Sequence, residues 1–214
     1  MTEQTENRPT IETQRLILRP FQPVDAPHLR ELANDKDVAS TTKSIPFPYP
    51  EGLAEEFIGK HPEGWKNGTS AIFAICLKPQ PPPTGQPDQD DEDAELGNNE
   101  SNGDVSEPQL IGTIGLEILP DHRKAELGYW LGKEYWNRGL TTEAARSVVA
   151  FGFEKLDLNR IHAHFMVRNP ASGRVMKKIG MTKEGLLRQY VKRWGVFEDV
   201  EMYAILREDC VAKQ

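Results

Sequence analysis

The chain has 214 residues, 37% hydrophobic and 28% charged, a length between one typical domain and two that points to one domain carrying an insertion. No apolar run is long enough for a bilayer and no secretory h-region follows the start, so neither a membrane partner nor secretion is expected. Two cysteines are too few for a disulfide framework or a cysteine-based zinc site, so a reducing, cytoplasmic setting is expected; the formal charge is -7.

Residues 1–12 read as a flexible leader. Arg15-Leu16-Ile17-Leu18-Arg19-Pro20 is aliphatic, weakly alternating and stopped by proline, which predicts a first strand at a sheet edge. Leu29, Leu32 and Ala33 recur at helical spacing behind Asp25, predicting a helix over 26–34 with Asp25 as its N-cap. Ile45 to Pro50 alternates apolar residues with prolines, cannot be helical, and is expected as an exposed aromatic loop. A second helix is expected over 51–66, followed by a buried strand over 70–77. Residues 79–107 hold nine acidic residues, no Lys or Arg, and only Ala94, Leu96 and Val105 as hydrophobic residues beside Pro81-Pro82-Pro83. Such a segment cannot offset its ordering entropy, so a disordered insertion is expected, either inert and solvated or a lure for basic partners.

The segments 109–118 and 124–131 flank Pro120-Asp121-His122 as a hairpin. Gly139 opens a helix to about Leu156, with Ala145, Val148, Val149, Gly152 and Leu156 along one face. A strand over 160–167, a short helix from Asn169-Pro170 to Gly180, and an antiparallel pair over 184–192 and 198–206 joined by Arg193-Trp194-Gly195-Val196 complete the order. The fold class is therefore mixed α/β (α+β), a single domain over 13–214 interrupted at 79–107.

The richest stretch runs from Glu126-Leu127-Gly128-Tyr129-Trp130-Leu131-Gly132 to Tyr135-Trp136-Asn137-Arg138-Gly139-Leu140-Thr141-Thr142-Glu143-Ala144. It sets a loop between a strand and a helix. Amides at a helix start lack intrahelical partners and meet the positive end of the dipole, so this loop could hold a diphosphate, with Gly139 allowing close approach and Arg138 adding charge. A glycine before a helix can also be no more than a turn, and neither Walker nor dinucleotide-fold spacing is present.

Downstream, Asn169-Pro170-Ala171-Ser172, Lys177-Lys178, Gly180-Met181 and the closing strand pair follow at fitting distances, and Thr13 to Pro20 resembles the opening strand of one branch. With these residues the chain resembles the GCN5-related N-acetyltransferase (GNAT) superfamily, and within it the branch that acetylates ribosomal-protein amino termini, over Thr13 to Leu206 without the insertion. The resemblance implies a twisted, mostly antiparallel sheet flanked by helices and splayed beside acetyl-CoA. It places the diphosphate motif on Trp136, Asn137, Arg138, Gly139, Leu140 and Thr141, with Thr142 following. Trp136 stands where the pattern has a polar residue and Thr141 where it has a small one, but the backbone donors survive both changes. It further implies that Leu131 and Gly132 pair with the pantetheine arm and that Asn169 contacts the cofactor.

Many members of the superfamily protonate the leaving thiolate with a tyrosine seven residues after that asparagine. Met176 stands there and cannot donate a proton. Ser172 is the branch's alternative donor, although serine also favours helix starts for capping. At the other end the attacking amine must be neutral. An α-amine, with a pKa of about 7.7–8.0 against about 10.4 for lysine, needs less help to lose its proton. Glu126 resembles a carboxylate used by relatives and is the candidate general base through water; its alternative is a surface pair with Arg123 or Lys124. Phe47, Tyr49 and Tyr203 are candidates for the acceptor groove, beside Asp199, though they can equally cover the core edge or face the sheet. His162 and His164 share a strand face without a third ligand, so no metal is expected. The basic-aromatic run Arg188 to Trp194 reads as a solvated strand, and no nucleic-acid partner is expected.

The resemblance implies acetyl transfer from acetyl-CoA to a primary amine, with a protein or peptide amino terminus favoured and polyamines, aminoglycosides or amino acids as alternatives. A non-catalytic acyl-CoA-binding sensor stays open because of Met176 and Thr141. A homodimer is compatible with the sequence.

Overall fold

The computed structural model describes residues 8–79 and 107–211. Most of the expected disordered insertion and of the flexible leader lies outside the described residues. Eight strands form one sheet: β1 (Ile11–Glu12), β2 (Leu16–Arg19), β3 (Ser70–Leu77), β4 (Gln109–Leu119), β5 (Lys124–Leu131), β6 (Arg160–Met166), β7 (Thr182–Arg193) and β8 (Val196–Leu206), in the order β1-β2-β3-β4-β5-β6-β8-β7. All neighbours are antiparallel except β5 and β6. Ile11 and Glu12, expected in the leader, pair with Leu18 and Ile17, so β2 is not the outermost strand.

Among the described residues seven α-helices flank the sheet: α1 (Ala26–Ala33), α2 (Lys36–Thr41), α3 (Leu53–Gly59), α4 (His61–Lys66), α5 (Leu140–Glu154), α6 (Pro170–Lys178) and α7 (Arg207–Val211). The helix expected over 51–66 is two, because Pro62 brings no amide and fixes a new first turn behind Lys60. The six-residue α2 was not legible in the sequence; the Asp35 carboxylate accepts the Asp37 and Val38 amides and supplies its N-cap. The apolar face of α5 is buried through Leu140, Ala144, Ala145, Val148, Val149 and Phe153. Gly152 lets α5 approach the sheet: a Cβ there would stand 2.8 Å from Ile161 Cδ1 and 3.0 Å from Leu116 Cδ1.

Asp25 does not cap α1 with its side chain. Its carboxylate takes both Arg19 guanidinium nitrogens at 2.7 Å and the Gln22 amide at 2.7 Å, holding the end of β2 to the turn before α1. Burial alone would raise the Asp25 pKa, but the Arg19 and Gln22 hydrogen bonds outweigh it and hold it below its usual value near 3.8. A depressed carboxyl stabilises the fold above its unfolded value and loses that contribution as pH falls through the folded one. Asp25→Ala should therefore cost about 2–3 kcal/mol at neutral pH. In urea unfolding the gap from wild type should close in acid, below pH 3.8; a gap that persists there would remove the ion pair as its source.

Candidate active site

β5 and β6 pair in parallel only through Lys124, Ala125 and Glu126 opposite Arg160, Ile161 and His162. Beyond Glu126 the strands diverge. The Gly132 amide donates to the Ile111 carbonyl at 2.9 Å, which fixes the ladder alternation on β5: the backbone groups of Gly128 and Trp130 turn to β4, and those of Leu127, Tyr129 and Leu131 turn into the gap. A cavity of about 620 Å³ fills this gap and reaches both faces of the sheet.

At one end lies the start of α5. Asn137 and Gly139 have φ of 60° and 76°, which bends the chain so that the amides of residues 137–142 follow one another around the loop. Among the described residues none of these amides has a protein partner; Leu140, Thr141 and Thr142 lie in the first turn, where the helix supplies none. The loop is held from beneath. Arg15 Nη1 donates to the Arg138 carbonyl at 2.9 Å, while the Glu143 carboxylate accepts from Thr13 Oγ1 (2.6 Å), the Arg15 amide (2.8 Å) and Arg15 Nε (2.8 Å). Burial pushes the Glu143 carboxyl up, but these donors overcome it and hold it below its ordinary range. The Glu143 charge in the first turn of α5 is thus already paired with Arg15.

On the second wall, Asn169, Ala171, Ser172, Arg174, Val175, Met176 and Lys178 of α6 and its entry line the cavity. Tyr129 faces them from β5. Its hydroxyl lies 2.9 Å from Ser172 Oγ and donates to the Ser172 carbonyl at 3.2 Å. Burial pushes the Tyr129 phenol up to about 12, so it is a neutral group at physiological pH.

The opposite end is acidic and aromatic. Glu126 and Glu117 line it beside Tyr49, His164, Val191 and Val200. Lys43 Nζ donates to Glu126 Oε1 at 2.6 Å, and His164 Nδ1 lies 3.4 Å from the same oxygen. Burial pushes the His164 imidazole below its ordinary value, against the pull of the Glu126 carboxylate. Tyr190 packs edge-on against that imidazole at 5.5 Å between ring centres.

The acetyltransferase (GNAT) domain model matches residues 15–182. The chain belongs to the GNAT acetyltransferase family. It is 43% identical over 100 residues to the uncharacterized N-acetyltransferase YoaA of Bacillus subtilis, covering 46% of this chain and 56% of YoaA. It is 29% identical over 201 residues, 94% of this chain and 97% of the relative, to the uncharacterized N-acetyltransferase p20 of Bacillus licheniformis. Ribosomal-protein-serine acetyltransferase of Escherichia coli is 31% identical over 99 residues, covering 46% of this chain and 55% of the relative. Against YoaA and the E. coli enzyme the chain thus spans about half of the relative's length. The crystal structure of a GNAT-family acetyltransferase from Bacillus anthracis superposes with a TM-score of 0.70 at 26% identity, over 93% of this chain and 99% of that one. Spermidine N-acetyltransferase from Vibrio cholerae, solved with CoA and spermine, shares the fold with a TM-score of 0.69 at 20% identity, over 93% and 98% of the two chains. The family and the mixed fold expected from the sequence are those found.

Within this GNAT fold most of the residues singled out by sequence meet at the cavity: Leu131, Trp136, Asn137, Gly139, Leu140, Thr141, Thr142, Asn169, Ser172, Glu126 and Tyr49. Four do not. Gly132 packs on Leu32, which a Cβ would approach to 2.7 Å, and its amide is taken by Ile111. The Arg138 guanidinium lies over the Tyr135 ring, 5.8 Å from its centre, rather than in the cavity. Phe47 is 39% exposed and outside the lining, because prolines on both sides turn Tyr49 inward and Phe47 outward. Tyr203 is 2% exposed and packs in the core 5.9 Å from Phe165 between ring centres. Nor is Tyr49 the exposed residue expected of its loop: it is buried, with its amide held by Asn34 Oδ1 at 2.9 Å. Glu126 meets Lys43, 83 positions away, in place of Arg123 or Lys124. The sequence reading missed Tyr129, Lys43 and Arg174; only Tyr129, inside the motif strand, carried a local signal. No metal-binding group of three His, Cys, Asp or Glu occurs among the described residues, where no helix is long and apolar enough to cross a membrane.

Proposed function

We propose that this chain transfers the acetyl group of acetyl-CoA to a primary amine in a cytoplasmic setting, with a protein or peptide α-amine as the favoured acceptor. The observation that carries the reading is the row of unpartnered amides over 137–142 at one end of a cavity whose other end holds Glu126. The donor set fits a diphosphate: amides and the dipole of a 15-residue helix face it, and Arg174 and Lys178 supply positive charge from α6. The splayed edge of β5 offers backbone groups to a pantetheine amide. The Leu131 carbonyl already accepts the Trp136 indole N–H at 2.9 Å, which leaves the Leu131 amide to steady an oxyanion.

Glu126 takes the proton of the incoming ammonium, so that the amine lone pair can attack the thioester carbonyl. Ser172 Oγ gives a proton to the leaving thiolate, and Tyr129, 2.9 Å away, supports it by hydrogen bonding. Holding both reactants in one cleft supplies much of the rate. The α-amine preference draws support from the ribosomal-protein acetyltransferase among the relatives and from the modest demand an α-amine makes on a base. A small polyamine acceptor is favoured by a different observation, the pair of carboxylates, Glu117 and Glu126, lining the acceptor end.

Free-thiol release from acetyl-CoA against a panel of peptides, polyamines, aminoglycosides and amino acids tests the reading. Peptide-dependent release is expected. Release with polyamines alone would move the acceptor to that class, and binding without release for any amine would leave a sensor.

A further inference from the structure

Lys43 occupies the place where an acceptor amine would have to stand. Its Nζ is 2.6 Å from Glu126 Oε1, the oxygen assigned above as proton acceptor, inside the cavity that also holds the α5 amides and Ser172. The segment that carries it is clamped. Arg193 Nη2, at the end of β7, donates to the Ala39 carbonyl at 2.8 Å and to the Ile45 carbonyl, and Arg168 Nη2 donates to the Ser40 carbonyl at 2.7 Å. Both ends of the turn from α2 are thus fixed by buried or ion-paired arginines, and the side chain of Lys43, 45% exposed, lies at the cavity wall against Glu126. Two other lysines line the same cavity without touching Glu126. Lys60 pairs with Glu56 at 2.5 Å on α3, and Lys178 lies on α6. Of these three lysines, Lys43 is the one apposed to Glu126.

We propose that Lys43 is a self-acetylation site: with acetyl-CoA bound and no competing amine, the chain acetylates its own Lys43 Nζ. The inference rests on the functional reading above. Glu126 accepts one proton from the Lys43 ammonium and passes it to water. The Nζ lone pair then forms a C–N bond to the thioester carbonyl carbon, and the C–S bond breaks with its electron pair on sulfur. The second proton lost from nitrogen balances the one that Ser172 delivers to the thiolate. The products are Nε-acetyl-lysine at position 43, CoA thiol and one proton in solution. Acetylation removes the positive charge that occupies Glu126, so the modified chain presents that carboxylate to an external amine without competition.

Incubation of the full chain with acetyl-CoA and no added amine, followed by peptide mass mapping over time, tests the proposal. Lys43 is expected to gain an acetyl group about 100-fold faster than Lys60 or Lys178, with a first-order rate independent of protein concentration, the advantage being that of a positioned base. Glu126→Gln should remove that advantage while acetyl-CoA binding, followed by calorimetry, is kept, and Lys43→Arg should abolish the modification. Labelling of Lys43 no faster than Lys60, a rate that rises with protein concentration, or full labelling in Glu126→Gln would overturn the proposal. If external amines are acetylated while Lys43 stays unmodified, the self-acetylation inference fails and the functional reading stands. If acetyl-CoA does not bind, both fail.

Discussion

Glu126→Gln is expected to lower turnover of an external amine by about 100-fold or more, because a positioned base contributes on that scale. The amide keeps the shape of the side chain and an oxygen that can accept from Lys43 Nζ, so the 2.6 Å contact survives in neutral form and the fold is unchanged. Only the capacity to take a proton is lost. The KM for acetyl-CoA should be unaffected, since Glu126 lies across the cavity from the α5 amides. His164 makes the test sharper. Its buried imidazole lies 3.4 Å from Glu126 with its pKa pushed down, so it is neutral and able to accept a proton at pH 7. Turnover kept in Glu126→Gln but lost in His164→Ala would transfer the base role to the imidazole.

The second large effect is expected at Gly139. Its φ of 76° is one that a β-branched residue cannot hold without strain, while a Cβ there would have room, its nearest neighbour being Arg15 Nη2 at 3.6 Å. Gly139→Val should therefore act by changing the backbone and not by collision. Redirecting even one amide from a phosphate costs about 1.5–3 kcal/mol, and two together lower acetyl-CoA affinity by about 100-fold or more. Gly139→Asn, which tolerates the left-handed region, should stay close to wild type. Because the loop is exposed, thermal stability should move little for either variant, which separates lost binding from lost folding. Equal losses for Val and Asn would show that side-chain bulk, not backbone direction, governs the site.

The two ends of the cavity were not equally legible in the sequence. The α5 loop was legible because a glycine ahead of a period-3.6 pattern marks a helix start, whose first-turn amides have no intrahelical partner. The hairpin of β4 and β5 and the strand over 70–77 are equally local, written in apolar runs and a proline turn. The splay between β5 and β6 has no such signature: losing backbone pairing after Glu126 changes no side-chain pattern, so the resemblance to the family alone implied it. The acceptor end depends on contacts across the chain. Lys43 meets Glu126 because Arg193 and Arg168 pin the segment after α2, and nothing near residue 43 encodes that. Tyr203 and Phe47 failed for a related reason. Alternation along a strand or a proline-rich loop says that neighbours face opposite ways, but which of them faces the cavity is set by the rest of the sheet.

Everything in the mechanism depends on the amides of residues 137–142 receiving a diphosphate. Their backbone NMR resonances, followed in parallel titrations with acetyl-CoA and with S-acetyl-pantetheine, which carries the same thioester without phosphates, measure this directly. The expected result is that acetyl-CoA shifts these six amides and binds far more tightly, whereas S-acetyl-pantetheine perturbs Leu127 to Leu131 and leaves the loop unmoved. Equal affinities, or a loop indifferent to acetyl-CoA while resonances elsewhere respond, would contradict the account.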